Sequence, residues 1–79
     1  MGIEDNMASE IKVAVNGVLG RMGSTVLTAA DLEPGVTPVG GADIAASSSS
    51  TVISGTAISV PLSSNLADLF KVVKPDVVV

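Results

Sequence analysis

The chain has no cysteine, histidine, tryptophan or tyrosine, a single phenylalanine, and only four basic residues among 79. Without cysteine there is no disulfide framework and no thiolate chemistry, which fits a reducing compartment. Without cysteine or histidine, no metal site of the zinc type is expected. The four consecutive serines, Ser47 to Ser50, have no histidine to serve as base, so a hydrolase triad is excluded. Four basic against eight acidic residues give a formal charge of −4. That balance lacks the basic footprint that nucleic acid or an anionic membrane surface requires. No apolar run approaches the roughly eighteen residues of a membrane span. The start, MGIEDNMASE, lacks the basic and apolar regions of a secretory signal, and Asn6 stands where a myristoylation motif wants Ser or Thr. A soluble, cytoplasmic protein is expected, with residues 1–10 as a flexible extension and Met7 as an alternative start.

What is abundant is aliphatic. Hydrophobic residues make up 47% of the chain, mostly Val, Ala, Leu and Ile. Seventy-nine residues allow one domain at most. A core filled by β-branched and small side chains suits the strands of a buried parallel sheet.

Ile11 to Val15 (IKVAV) reads as a short strand, followed by a glycine-rich turn from Asn16 to Gly20. From Arg21 to Asp31, Met22, Val26, Leu27 and Ala30 recur at helical spacing, and Glu33-Pro34-Gly35 ends that helix. Val36 to Asp43 is the second strand, although Pro38 and Gly40-Gly41 weaken it on propensity. The segment IAASSSSTVISGT reads as a mobile surface loop. Ala57 to Val60 forms a strand closed by Pro61, and a Ser or Asn cap opens a helix running through SSNLADLFKVVK. Val77-Val78-Val79 opens a last apolar strand. The order β-α-β-β-α-β predicts an α/β fold with a parallel sheet, a partial Rossmann unit spanning residues 11–79. Such a half-sheet exposes a strand edge, so a marginal, dimeric or aggregation-prone fragment is expected.

Three of the eight glycines fall at Gly17, Gly20 and Gly23, between the first strand and the helix. Glycine there permits a tight turn and lets backbone approach a phosphate, while the helix start offers unpaired N–H groups and a positive dipole end. A dinucleotide site also needs a carboxylate for the adenosine ribose about twenty residues past the glycines. Asp43 stands twenty residues after Gly23. The plain alternative, a glycine turn that only joins strand to helix, does not account for that carboxylate. Arg21 is either a solvated helix residue or one whose side chain faces the pyrophosphate. Asp31, Glu33, Asp68 and Asp76 read as surface acids.

VNGVLGRMG resembles the GxxGRMG fingerprint at the N-terminus of the dihydrodipicolinate reductases, and PDVVV resembles a strand that continues into an Asp-Phe-Thr turn in that family. A related turn in 6-phosphogluconate and hydroxyisobutyrate dehydrogenases reads GLGRMG. Here Val18 and Leu19 separate the first two glycines, one residue more, which favours the reductase. The resemblance implies hydride transfer from NADH or NADPH to a cyclic imine-like dicarboxylate in diaminopimelate and lysine synthesis. It implies that Gly17, Val18, Leu19, Gly20, Arg21 and Met22 surround the pyrophosphate, largely through backbone groups, and that Asp43 holds the ribose. NADPH-using members commonly carry a basic residue after that acid. Here Ile44 follows, and no Lys or Arg occurs between Arg21 and Lys71. NADH is therefore the expected cofactor and NADPH the secondary one, with Lys12 or a residue beyond Val79 as the remaining source of a cation. The family's nicotinamide loop, its His-His segment with lysine, its substrate loop and its oligomerising domain are expected after Val79, so no catalytic residue is assigned. The parent protein is expected to be a homo-oligomer through that domain. The rival readings are a non-catalytic nucleotide-binding module and the NAD-binding part of a dehydrogenase with the related turn.

Overall fold

The computed structural model describes residues 10–79. The expected extension therefore lies outside the described residues, Glu10 excepted. Five strands and two helices follow in the order β1 (Ile11–Asn16), α1 (Arg21–Leu32), β2 (Val36–Ala42), β3 (Ser50–Val52), β4 (Ser59–Ser63), α2 (Leu66–Leu69) and β5 (Val77–Val78). They form one sheet in the spatial order β3-β4-β2-β1-β5. β1 pairs parallel with β2 and β5, and β2 pairs parallel with β4. The chain thus winds outward from β1 through β2 to β4, then crosses over to β5 on the other side of β1. The carboxyl ends of β1 and β5 flank the point where the winding reverses, the place where open α/β sheets bind ligands.

Period-two alternation in β1 divides the interior. Val13 and Val15 join Val18, Leu27, Ile53, Val60 and Leu62 in the larger core, under α1. Ala14 faces the other way and packs with Ala42 and Leu69, under α2. The α2 face is built from small residues because the helix sits close. A Cβ on Gly40 would lie 2.9 Å from Leu69 Cδ1 and 3.2 Å from the Pro61 carbonyl oxygen. The glycine pair that weakens β2 on propensity is therefore demanded by packing on both of its faces, since Gly41 has Val18 against it. The β1–β2 register also shifts between Val13 and Ala14, which leaves Val39 without a partner as a bulge.

Three expectations are corrected. The segment read as a mobile loop contains β3, which pairs antiparallel with β4. The hairpin closes through Ile53 N–H to the Ile58 carbonyl (2.9 Å), with Gly55 at φ +81. The sheet is consequently mostly, not wholly, parallel. Second, β4 runs through Pro61 rather than ending before it. A proline is tolerated there because pairing with β2 begins only at Leu62, so Pro61 has a neighbour strand on one side alone. Third, α2 is four residues long instead of extending to Lys74. Asn65 caps it through Oδ1, which accepts from Asp68 N–H at 2.8 Å. β-branched Val72 and Val73 and the restriction before Pro75 then stop the helix.

At the far side of β1, Asp76 N–H donates to the Lys12 carbonyl and Val79 N–H to the Ala14 carbonyl, so the β5 ladder extends past its two assigned residues. The outer edge of β5 is open, and Val77, Val78 and Val79 are exposed. Among the described residues no helix is long and apolar enough to cross a membrane.

Candidate nucleotide site

The site begins with a turn whose amides are almost all spoken for. Gly17, at φ +74, lets the chain leave β1 in a left-handed conformation. Gly17 N–H and Val18 N–H both donate to the Ala42 carbonyl, at 2.7 and 3.2 Å. Leu19 N–H donates to Asp43 Oδ2 at 2.9 Å, and Gly20 N–H to the Gly17 carbonyl at 3.1 Å. Val18 is the turn's anchor, only 2% exposed and seated on Gly41.

The free donors come one residue later. An α-helix leaves its first N–H groups without intrahelical acceptors. Ser24 N–H is the first to be satisfied, by the Gly20 carbonyl at 2.9 Å. Gly20 occupies the cap position without a side-chain hydrogen bond, and the first turn of α1 has no acidic residue. Arg21, Met22 and Gly23 therefore present N–H groups with no acceptor among the described residues. Gly17 through Gly20 thus spend their amides on acceptors within the molecule and shape the turn.

A cavity of about 460 Å³ opens at this turn, lined by Asn16, Gly17, Gly20, Arg21, Met22 and Gly23 with Val15, Val26 and Val79. It lies at the carboxyl ends of β1 and β5, where the winding reverses. Gly23 brings helix and turn together. A Cβ there would lie 2.0 Å from the Gly17 carbonyl oxygen, 2.7 Å from its carbon and 2.9 Å from Val18 Cα. The close approach is thus between helix and turn rather than between helix and strand. The Arg21 side chain is exposed and has no carboxylate partner among the described residues. Met22 is also exposed, at 80%.

Asp43 directly follows β2, as the spacing predicts. Its Oδ2 accepts from Leu19, its Oδ1 accepts from Ala45 N–H at 2.9 Å, and its own N–H donates to the Ser63 carbonyl at 3.0 Å. The carboxylate is half-buried, and each oxygen keeps a further lone pair for a hydroxyl donor. Ile44 beside it is 94% exposed. Lys12 sits at the opposite end of β1, four residues before Asn16, or roughly 13 Å of strand rise. It is therefore removed as a source of positive charge for the site.

Asn16, Val26 and Val79 line the cavity and Gly41 seats Val18, none of which the glycine spacing singles out. The signal for Gly41 was present in the Gly-Gly pair of a strand otherwise hard to justify. Val79 becomes visible only once β5 is placed beside β1.

The surface acids take ordinary roles. Asp68 lies 3.5 Å from Lys71 Nζ, and Asp76 Oδ2 accepts from Lys12 N–H at 2.9 Å. Among the described residues no three histidine, cysteine or acidic side chains cluster as metal ligands.

Comparison with known proteins shows the family. The family model described as dihydrodipicolinate reductase, N-terminus, matches residues 11–79. Proteins named 4-hydroxy-tetrahydrodipicolinate reductase from two strains of Dehalococcoides mccartyi are each 39% identical over 69 residues. A third strain's protein of that name is 38% identical over the same length. Each alignment covers 87% of this chain and 26% of the relative, so the chain spans about a quarter of the length of these proteins. No solved structure matches at comparable significance. The sheet order, the turn and the family match converge: the chain belongs to the dihydrodipicolinate reductase family and corresponds to its N-terminal, nucleotide-binding part.

Proposed function

We propose that this chain binds the adenosine and pyrophosphate portion of NADH, with NADPH as the weaker alternative. It does so within a cytoplasmic reductase whose full-length form reduces a cyclic imine-like dicarboxylate in diaminopimelate and lysine synthesis. The observation that carries the reading is the start of α1, where three residues whose N–H groups have no acceptor among the described residues line a cavity, with no acidic side chain in that turn. Such a helix start favours an anion through both its donors and its dipole. The residues present fit the group. Arg21, Met22 and Gly23 would hold the pyrophosphate through backbone N–H, the Arg21 guanidinium stands at the same turn, and Asp43 would accept from the ribose hydroxyls. The reduced nicotinamide supplies the hydride when bound.

The cofactor preference follows from charge. A 2′-phosphate would meet the Asp43 carboxylate and the apolar Ile44 where a cation would be needed. The groups that bind substrate and donate a proton belong to the remainder of the full-length protein, as does the surface through which it forms a homo-oligomer.

The test is a reductase assay on the full-length gene product with dihydrodipicolinate, following loss of reduced-nicotinamide absorbance. Substrate-dependent oxidation with a lower KM for NADH than for NADPH is expected. Asp43→Ala should raise the NADH KM about ten- to a hundredfold, the value of hydrogen bonds to a charged acceptor, and the NADPH KM by less. Equal losses for both cofactors would remove Asp43 from the ribose. Absence of substrate-dependent oxidation in the unaltered protein would leave the non-catalytic module as the reading. That alternative is favoured by the cavity lining, which among the described residues holds no side chain that exchanges a proton near neutral pH.

A further inference from the structure

Asp43 has a second task that the ribose does not explain. Three consecutive amides of the glycine turn, those of Gly17, Val18 and Leu19, are bound to the last residue of β2 and the residue after it. The first two use the Ala42 carbonyl, which any residue at that position would provide. The third uses a side chain. Leu19 N–H reaches Asp43 Oδ2 across 24 positions of sequence, and no other acceptor for that amide is found among the described residues. Oδ1 is fixed by Ala45 N–H and the Asp43 backbone by the Ser63 carbonyl on β4. The carboxylate is therefore held from two sides before any ligand arrives, and it holds the tip of the turn in return.

We infer that Asp43 is a positioning residue for the anion end of the site: by fastening Leu19 it sets the course of the chain into Gly20 and the first turn of α1. The inference rests on the dinucleotide reading for the identity of the ligand. The connection is short. Leu19 precedes Gly20, whose carbonyl accepts the first helical hydrogen bond from Ser24. Release of Leu19 frees the entry to α1 and lets the amides of Arg21, Met22 and Gly23 spread. A ribose hydroxyl donating to a remaining lone pair of Asp43 leaves the Leu19 bond in place, so both ends of the site share one carboxylate without competing for it.

The two roles differ in sign when the ligand has no ribose. Inorganic pyrophosphate reaches only the anion end. If Asp43 served the ribose alone, Asp43→Ala would leave pyrophosphate affinity unchanged or raise it by removing a nearby negative charge. Under the inference, the same variant of the full-length protein binds pyrophosphate about three- to tenfold more weakly. Its Leu19 amide also exchanges hydrogen about ten- to a hundredfold faster, while Val15 in the core of β1 is unaffected. Asp43→Asn keeps the size and one oxygen acceptor. It should show smaller changes in the same directions, and it serves as the test if the alanine variant does not fold. Unchanged Leu19 exchange, or pyrophosphate affinity that is unchanged or raised, overturns the inference. Failure of the dinucleotide reading shows itself separately, as absent NADH binding by the unaltered protein.

Discussion

Gly23→Ala is expected to destabilise the protein by about 1–3 kcal/mol, towards the upper end, and to abolish measurable dinucleotide binding. The prediction is sharp because helix propensity alone gives the opposite sign. Alanine at an exposed helical position gains up to about 1 kcal/mol over glycine. Here the added Cβ would sit 2.0 Å from the Gly17 carbonyl oxygen, and its three nearest neighbours are all backbone atoms. No side chain can rotate away to make room. Helix and turn must separate, which moves the free amides away from the cavity they line. Gly20→Ala is the control. Its Cβ would meet the Gly17 carbonyl oxygen at 3.4 Å, an ordinary contact, so it should cost no more than about 1 kcal/mol for a poorer cap residue. Urea midpoints for the two variants, beside NADH titrations, check both. A Gly23→Ala protein at least as stable as the unaltered one would show that the turn is not packed as described.

Ile53→Ala is expected to cost about 3 kcal/mol, within the range for deleting a buried aliphatic side chain, and to lower Tm by roughly 12–24 °C for a domain of this size. Ile53 has 0% exposure and is among the largest fully buried side chains. It packs with Val13, Val15, Val18 and Leu27 in the core that carries the turn's anchor. Thermal melts of Ile53→Ala beside Ser48→Ala, at an exposed position, separate the structured segment from a mobile one. Equal and negligible shifts would return residues 44–56 to the status of a loop.

That segment shows where composition misleads. Four serines in a row read as surface, and Ser47 through Ser50 are indeed exposed. The information lay immediately after them. Thr51, Val52 and Ile53 form a β-branched run, Ser54-Gly55 a turn signal, and Ile58 and Val60 alternate with Ser59. That is the pattern of a hairpin. The low-complexity stretch hid it because the serines were extended into one long loop. α2 failed for the converse reason. Leu66, Leu69 and Val73 do reach the core at helical spacing, but spacing does not record that two β-branched residues and a following proline end the helix early. The order of β1, α1 and β2 was legible because each local preference agreed with the fold. The position of β5 beside β1 was not, since crossover direction is a property of the whole sheet.

The turn and the end of β2 were legible in the sequence, but not the hydrogen bonds that join them. Glycine spacing located the turn, and the interval to Asp43 located the end of β2. What no spacing rule contains is that Gly17 to Gly20 spend their amides internally, so that the amides without an acceptor among the described residues begin at Arg21. Nor does it contain the Asp43 bond to Leu19, which depends on the turn folding back over β2. Conversely, Gly40-Gly41 counted against a strand in sequence and proves to be required by Leu69 on one face and Val18 on the other.

The most direct test of the central claim is an amide-resolved NMR titration of the full-length protein with NADH. Binding at the start of α1 predicts the largest changes at the N–H groups of Arg21, Met22 and Gly23, with smaller ones at Ala45 beside Asp43 and none at Lys12. Saturation with NADH that leaves those three amides unmoved would contradict the assignment of this turn as the pyrophosphate site.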